Sequence, residues 1–348
     1  MTANRLLPRM AIVSAALVAL AGCTGGASTA PSTAPSAAAP STAPSAAAPS
    51  AAALTYEDLT VGFIQTGSEG GWRAANTASF KDTAEQLGIN LKFYDAQNKL
   101  ENQLTAFRNF IADDEVDVII LAALEAAGWD QVLQEAKDAG KTVVLEDRRI
   151  DAPEDLYATY IGSDFTLEGR KAADEMCKLL EGSDTKVVWE LVGNVGSSAA
   201  IDRGKGFRES MGACGITIPE GFSQTADWSS TTGKEVTQAF LKKSTAVDGI
   251  FAQNDEMGLG AIQALKEAGL KPATDVKIIT VDATKGAFEA MIAGDINTVV
   301  ECNPLLAPQV YEAALKAANG ETLPKWVPSN ESVFYQADAA SILPTRTY

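Results

Sequence analysis

From residue 60 onward the chain alternates short runs of Val, Ile and Leu with longer amphipathic segments. The apolar runs lie at 60–65, 90–94, 117–121, 142–145, 157–161, 186–191, 248–252, 276–281 and 297–300. Nearly continuous apolar strands are typical of parallel sheets covered by helices on both faces. Helical patterns are predicted between them, at 72–87, 99–112, 128–139, 165–181, 203–213, 232–243, 257–268 and 304–318. Such alternation over 295 residues predicts an α/β fold with two doubly wound, Rossmann-like parallel-sheet domains.

The N-terminus is predicted to be a targeting segment. Arg5 and Arg9 precede an apolar run at 10–21, which is too short for a permanent membrane helix and has the layout of a secretory signal over residues 1–22. The tetrad LAGC at 20–23 resembles the lipobox of bacterial lipoproteins, whose cysteine carries the lipid. We therefore expect lipidation at Cys23 and anchoring on the extracytoplasmic face of the cell membrane. The alternative is an ordinary signal peptide with a chance cysteine.

Residues 23–53 are predicted to be an anchor cysteine followed by a tether. This segment consists almost entirely of Ala, Pro, Ser, Thr and Gly, and the block STAPSAAAP occurs at 32–40 and again at 41–49. Such a composition offers almost no apolar surface to bury, and proline favours extended backbone.

Charge and histidine content narrow the function. Of the 28 basic residues only Arg5 and Arg9 precede residue 54, so the remainder carries 26 basic and 45 acidic residues. A surface this acidic argues against a nucleic-acid partner. The chain has no histidine, which excludes Ser-His-Asp catalysis and His-ligated zinc. Carboxylate chemistry stays open, and neither a cofactor nor a metal is predicted.

Three cysteines remain after Cys23. Cys177 falls on a predicted helix, Cys214 follows the next one, and Cys302 is left over. Neighbouring helices on one sheet face could bring the first two together, and export favours oxidation. We predict a Cys177–Cys214 disulfide, with three buried thiols as the alternative.

Polar and aromatic residues follow nearly every predicted strand, where doubly wound sheets bind their ligands. They include Ser68, Glu69, Trp72, Arg73, Gln97, Glu125, Asp147, Arg148, Asp164, Arg203, Asp227, Trp228, Asn254, Asp255, Asp282 and Glu301. Carboxylates accept hydrogen bonds from hydroxyls, arginines donate to them, and tryptophan covers apolar C–H faces. Repeated carboxylates would repel phosphate. The set therefore favours a neutral polyol, although helix capping alone would explain Asp164, Asn254, Asp255 and Asp282.

Several stretches resemble the type I periplasmic sugar-binding proteins of ABC importers, the ribose-binding class, and within it the galactofuranose- and fructose-binding members. They are GSEGGWRAA at 67–75, QNKLENQ at 97–103, GWDQVLQEAKDAG at 128–140, EDRRID at 146–151, AAIDRGKGF at 199–207 and AQNDEMGLGAIQALKEAG at 252–269. The resemblance runs from about residue 59 to the end.

The resemblance implies a set of sugar-binding residues. The matching positions are Glu69, Trp72, Arg73, Asp147, Arg148, Arg203, Trp228, Asn254 and Asp282. Weaker candidates are Ser68, Gln97, Asp164, Asp227 and Glu301, while Trp129 and Glu125 either line the rim or merely pack. The family's last hinge contact, often a glutamine, falls near Glu301 or Cys302, and cysteine there is a departure.

The resemblance also implies an architecture and a role. An N-terminal lobe at 54–160 and 303–332 and a C-terminal lobe at 161–302 and 333–348 would be joined by a three-strand hinge, with a monosaccharide in the interdomain cleft. The expected protein is a monomeric, lipid-anchored receptor, not an enzyme, that delivers a furanose (galactofuranose, arabinofuranose or fructose) to an ABC permease. The alternatives are a sugar sensor for a membrane kinase or chemoreceptor and, from the abundant carboxylates, a glycoside hydrolase.

Overall fold

The computed structural model describes residues 53–348. Its strands, in chain order, are β1 Thr60–Gln65, β2 Asn90–Asp95, β3 Val118–Leu121, β4 Thr142–Glu146, β5 Thr159–Gly162, β6 Val188–Val192, β7 Ser223–Thr225, β8 Gly249–Ala252, β9 Lys277–Asp282, β10 Thr298–Glu301, β11 Trp326–Pro328 and β12 Val333–Tyr335. The helices are α1 Gly71–Leu87, α2 Leu100–Ala112, α3 Asp130–Asp138, α4 Phe165–Leu179, α5 Ser198–Met211, α6 Ser230–Lys243, α7 Asp255–Glu267, α8 Lys285–Ile292, α9 Ala307–Ala318 and α10 Ala339–Ile342. The signal and tether predicted over 1–53 lie almost wholly outside these residues.

The strands form two sheets of six. The first has the order β11-β5-β4-β3-β1-β2, and every pair in it is parallel. The second has the order β12-β10-β9-β8-β6-β7 and is parallel except for the edge strand β12. The predicted fold class is confirmed. In both sheets the strand order reverses beside the first strand, which opens a crevice at the carboxyl ends.

The chain passes between the two sheets three times. These crossings lie between β5 and α4, between β10 and α9, and between β11 and β12, at residues 163–164, 302–306 and 329–332. Helix α9 packs on β4 of the first sheet, whereas α4 packs on β9 and β10 of the second. We call residues 163–164, 302–306 and 329–332 the first, second and third crossings.

Each sheet is covered by helices on both faces. On one face of the first sheet, Phe63 of β1 stacks on Phe80 of α1, which meets Tyr311 of α9 edge to face. In the second sheet, Phe207 of α5 stacks on Phe251 of β8 with ring centroids 4.4 Å apart. These apolar layers hold the strand ends in place around the cleft. No helix within residues 53–348 combines the length and the apolar character needed to cross a bilayer.

The predicted disulfide between Cys177 and Cys214 is present. It joins α4 to the turn that follows α5, with the two Cα atoms 5.7 Å apart. The remaining cysteine, Cys302, is free and buried.

Candidate functional site

A cavity lies between the carboxyl ends of the two sheets. It is lined by Glu69, Trp72, Arg73, Asp147, Arg148, Ala199, Arg203, Trp228, Asn254, Asp282 and Cys302. All nine residues that the sequence predicted as ligand-binding meet here, and Ala199 and Cys302 are additions. The unfilled space around these residues, with the solvent at its mouth included, is about 330 Å³.

The first sheet contributes a compact charged cluster. Glu69 accepts hydrogen bonds from Arg148 Nη2 at 2.8 Å and from Arg73 Nε at 3.2 Å. Arg73 also donates to Asp147 through Nη2 at 2.5 Å. Burial raises the pKa of Glu69, but the two arginines more than offset it and hold that pKa below its ordinary value. Glu69 is therefore an ionised acceptor and the arginines are fixed donors.

The second sheet contributes Arg203, which α5 directs into the cleft. Its Nε donates to Glu168 Oε2 at 2.6 Å and its Nη1 to the carbonyl of Gln253 at 2.7 Å. Burial raises the pKa of Glu168 to about 8, against the opposing effect of Arg203. Asp282 lies 3.7 Å from Arg203 Nη2, and burial raises its pKa well above the ordinary value. The distant contact with Arg203 thus compensates the burial of this carboxyl only in part.

Two tryptophans supply the apolar walls. Trp72 donates its indole N–H to the carbonyl of Cys302 at 2.7 Å, which fixes its ring. Trp228 is also buried, but its indole nitrogen has no hydrogen-bond partner within residues 53–348. Its ring lies 5.8 Å from the guanidinium of Arg148 and 5.6 Å from that of Arg203. The walls and the donors therefore share one small volume, as a polyol with apolar faces requires.

Three lining residues have unusual backbone. Asp147, Trp228 and Asp282 have φ angles of 59°, 57° and 122°. Non-glycine residues seldom adopt such angles, which cost about 1–3 kcal/mol each and cluster at ligand sites. Each of these residues lies at or shortly after the end of a strand, and each lines the cavity.

Direct contacts join the two sides of the cleft at its rim. Arg149 pairs with Asp202 at 2.6 Å and 2.9 Å. The amide of Ala126 donates to the carbonyl of Gly196 at 2.8 Å. Further contacts run from Asn194 Nδ2 to Glu69 Oε1 at 3.1 Å and from the amide of Gly71 to Glu256 Oε1 at 3.2 Å. Sequence reasoning missed these contacts, because each needs two segments far apart in the chain.

The five weaker candidates lie outside this cavity. Ser68 and Asp227 line a neighbouring cavity at the rim. Gln97 is exposed. Asp164 accepts from the amide of Leu167 and caps α4, and Glu301 pairs with Arg346 at 2.8 Å.

Other residues with an open role are placed by their packing. Trp129 is fully buried and donates to the carbonyl of Glu125, so it belongs to the core, while Glu125 lies beside Gly196 at the rim. Asn254 caps α7 through the amide of Met257 and also lines the cavity.

The three crossings meet behind the cavity. Ser163 of the first crossing bonds to Glu331 of the third and lies 3.4 Å from the Cys302 sulfur of the second. Glu168, Cys302 and Glu331 form a group of potential metal ligands, with donor atoms within 4.8 Å of one another. Arg203 already pairs with Glu168, and the amide of Asn303 already donates to Glu331. We therefore assign the group to the hydrogen bonds that join the three crossings.

The structure has two α/β units with a buried cleft between them, lined by polar and aromatic residues. This arrangement is typical of proteins that bind a small ligand between two lobes. The family model described as periplasmic binding protein domain matches residues 61–322, and the chain belongs to this family.

Curated relatives agree with the resemblance found in the sequence. The chain is 44% identical over 287 residues to the galactofuranose-binding protein YtfQ of Escherichia coli, covering 81% of this chain and 89% of that protein. It is 37% identical over 295 residues to the fructose import binding protein FruE of Bifidobacterium longum, covering 83% and 88%. The resemblance to the galactofuranose- and fructose-binding members is therefore confirmed.

Solved structures are similar to this chain at sequence identities comparable to those of the curated relatives. A Mycobacterium smegmatis protein in complex with β-D-fucofuranose is 45% identical with a TM-score of 0.80, over 83% of this chain and 95% of that one. The binding protein of an arabinose ABC transporter from Shewanella sp. ANA-3, bound to L-arabinofuranose, is 42% identical with a TM-score of 0.79, over 83% and 95%.

Proposed function

We propose that the protein is the substrate-binding component of an ABC sugar importer and binds one monosaccharide in the central cavity. The observation that carries the proposal is the meeting of the nine predicted residues in one buried site. Relatives at 44% and 37% identity are named for binding galactofuranose and fructose, which supports a sugar ligand. The role is binding without chemical change, by a monomer.

The lining fits a sugar in its furanose form. Three arginines and three carboxylates line a cavity with two tryptophan rings. Each sugar hydroxyl can donate to a carboxylate and accept from a guanidinium, and hydrogen bonds to charged groups contribute about 1.5–3 kcal/mol each. Similar solved structures hold fucofuranose and arabinofuranose, which favours a furanose over a pyranose.

We further propose that binding closes two lobes about the crossings. From the sequence the lobes would be 54–160 with 303–332 and 161–302 with 333–348, but β5 Thr159–Gly162 lies wholly in the first sheet, which favours a first boundary at residues 163–164. The membership of β11 and β12 in different sheets supports the last boundary. Glu69 and Arg73 come from one lobe and Arg203 and Asp282 from the other, so a sugar that bonds to both sides stabilises the closed arrangement.

Anchoring at Cys23 through a tether to residue 53 completes the proposal. Support comes from the charged start, the short apolar run and LAGC at 20–23, all outside the described residues. A lipid on Cys23 would keep the domain near its permease on the extracytoplasmic face. Mass spectrometry of the purified protein tests this directly, because an unmodified N-terminal segment would contradict lipidation.

Calorimetry and thermal unfolding with single sugars test the ligand. The panel contains fructose, galactose, arabinose, ribose, xylose and glucose. A ligand at 100 times its Kd stabilises the folded protein by about 2.7 kcal/mol, which shifts the unfolding transition visibly. Binding confined to galactose, arabinose or fructose supports the furanose reading. Binding only of ribose, xylose or glucose rejects it, and binding of no sugar by ligand-free protein rejects the function.

A further inference from the structure

Asn76 of α1 is a buried amide whose hydrogen-bonding capacity is fully used. Its Oδ1 accepts from Gln65 Nε2 at 2.8 Å and from Arg73 Nη1 at 3.4 Å. Its Nδ2 donates to Glu146 Oε2 at 3.2 Å and to the carbonyl of Pro304 at 3.1 Å. An amide offers two donors and two acceptor sites, so all four are occupied. Asn76 does not line the cavity.

The contact with Pro304 reaches the second crossing. Trp72, one helical turn before Asn76, donates to the carbonyl of Cys302 in the same crossing at 2.7 Å. Residues four apart lie on one face of a helix. The face of α1 that carries Trp72 toward the cavity therefore holds two carbonyls of a hinge segment, and between them α1 carries Arg73.

We propose that Asn76 is a positioning residue that couples Arg73 to the second crossing. Arg73 lies between Asp147 in the cavity and Asn76 behind it, and Asn76 lies between Arg73 and Pro304. A change in the position of Arg73 on sugar binding thus changes the hydrogen bonds that hold the crossing. This inference rests on the proposed function and adds a route from the sugar to the hinge.

The chemistry of the site allows a swap that isolates this contact. Asn76→Asp alone removes both donated bonds and sets a second carboxyl group against that of Glu146. Combining Asn76→Asp with Glu146→Gln lets the amide at 146 donate to the carboxylate at 76. The number of carboxyl groups in the cluster is unchanged, and only the carbonyl of Pro304 loses its donor.

Calorimetry, thermal unfolding and small-angle scattering with the sugar that binds the wild-type protein provide the test. We expect the swap variant to regain most of the melting temperature that Asn76→Asp loses. Its sugar affinity should stay about tenfold weaker, because a buried carbonyl left unpaired costs about that much. Its sugar-dependent compaction should be smaller than that of the wild type.

Asn297→Asp is the matched control. Asn297 bridges the amide of Ile278 and the carbonyl of Ala273 in the second sheet, outside the cavity. The substitution also removes a donor to a carbonyl, but at a site without contact to the crossings. It should retain wild-type affinity and compaction.

Two outcomes would overturn the inference. Full recovery of affinity and compaction in the swap variant would show that the bond to Pro304 carries no coupling. If Glu146→Gln alone lowered sugar affinity and compaction as much as the swap variant does, the effect would be assigned to Glu146. Should the variants not fold, hydrogen exchange of the wild-type amides of Cys302, Asn303, Leu305 and Leu306 decides, because exchange unaffected by sugar contradicts the proposal. A wild type that binds no sugar rejects the proposed function itself.

Discussion

Each of the three cavity arginines is buried among carboxylates, so its charge cannot be removed without leaving others uncompensated. We expect Arg73→Met to lower the free energy of unfolding by about 3–5 kcal/mol, because the buried Asp147 loses its 2.5 Å partner. Sugar affinity should fall at least about 100-fold, since charged hydrogen bonds are lost. Arg170→Met is the control, because Arg170 pairs with Glu209 at the surface and such pairs contribute about 0–1 kcal/mol. Equal losses in both variants would contradict the assignment.

The buried carboxyl groups of Glu146 and Glu168 should make stability depend on pH. Burial raises the pKa of Glu146 and of Glu168 from the ordinary 4.5 to about 8. The folded state then binds more protons than the unfolded state between these values, so stability is greatest at the acidic end and is lost as pH rises toward 8. Each group contributes a slope of up to about 1.4 kcal/mol per pH unit. Denaturant unfolding from pH 5 to 9 measures it, and Glu168→Gln should flatten the curve. An unchanged slope would contradict the assignment.

The residues of the cavity were predictable to the extent that they follow strands. Charged and aromatic side chains after a strand are visible in a sequence, as with Glu69, Arg203 and Trp228. Cys302 was seen only as a departure, and Ala199 carries no polar signal at all. Asn76 follows no strand, and its partners Glu146 and Pro304 lie 70 and 228 positions away. Contacts of this kind depend on how two sheets and three crossings are assembled.

At the scale of elements, the loop between β6 and α5 determines where Trp228 can lie. A Cβ added at Gly193 would lie 1.9 Å from the ring carbon Cζ2 of Trp228. We expect Gly193→Ala to displace the ring and to weaken sugar binding at least about tenfold, since one cavity wall moves. Gly212→Ala is the control, because an added Cβ there meets no atom within 4 Å and φ is −65°. Calorimetric titration of both variants measures the difference, and wild-type affinity in Gly193→Ala would show that the ring position is not critical.

The disulfide belongs to the same scale. Cys177–Cys214 closes a loop of 37 residues between α4 and the end of α5. A closed loop of this length stabilises the folded state by about 4 kcal/mol in the chain-entropy model. The double substitution to serine should lower the free energy of unfolding by about 4 kcal/mol and therefore lower the melting temperature. Sugar affinity should stay unchanged, because the bridge lies away from the cavity. A melting temperature insensitive to reductant would contradict the prediction.

The strands that the sequence predicted are marked by apolar runs. The nine predicted strands are apolar runs, buried except for the edge strand β2, and all nine are present. The three strands that were not predicted, β7, β11 and β12, have three residues each and lie at sheet edges. These three edge strands are both short and half exposed, so neither a continuous apolar run nor alternation marks them. Helix α8 was also missed, because its eight residues are too few to show a period.

At the scale of the whole molecule, the contacts across the rim join the two sides of the cleft, and the proposed closure of the lobes would form them. Helix α1 has no acidic residue in its first turn and no side-chain cap of its own. Glu256, which belongs to the other side of the cleft, accepts from the amide of Gly71 at the start of this helix. A carboxylate at a helix N-terminus contributes about 0.3–1 kcal/mol. In the proposed closure, Glu256 would thus supply a cap that the helix otherwise lacks.

Removing these contacts should change how long a sugar stays bound. Arg149 and Asp202 are 39% and 12% exposed, so their pair contributes about 0.2–1 kcal/mol. We expect Asp202→Asn combined with Glu256→Gln to weaken affinity by about 3- to 10-fold, because neither residue lines the cavity and only the closed state is destabilised. Stopped-flow measurement should place most of the change in the dissociation rate. Glu312→Gln, which removes a surface pair with Lys316 on α9, is the control and should bind as the wild type does. An unchanged dissociation rate in the double variant would mean that the rim contacts do not hold the lobes together, and that the sugar alone stabilises closure.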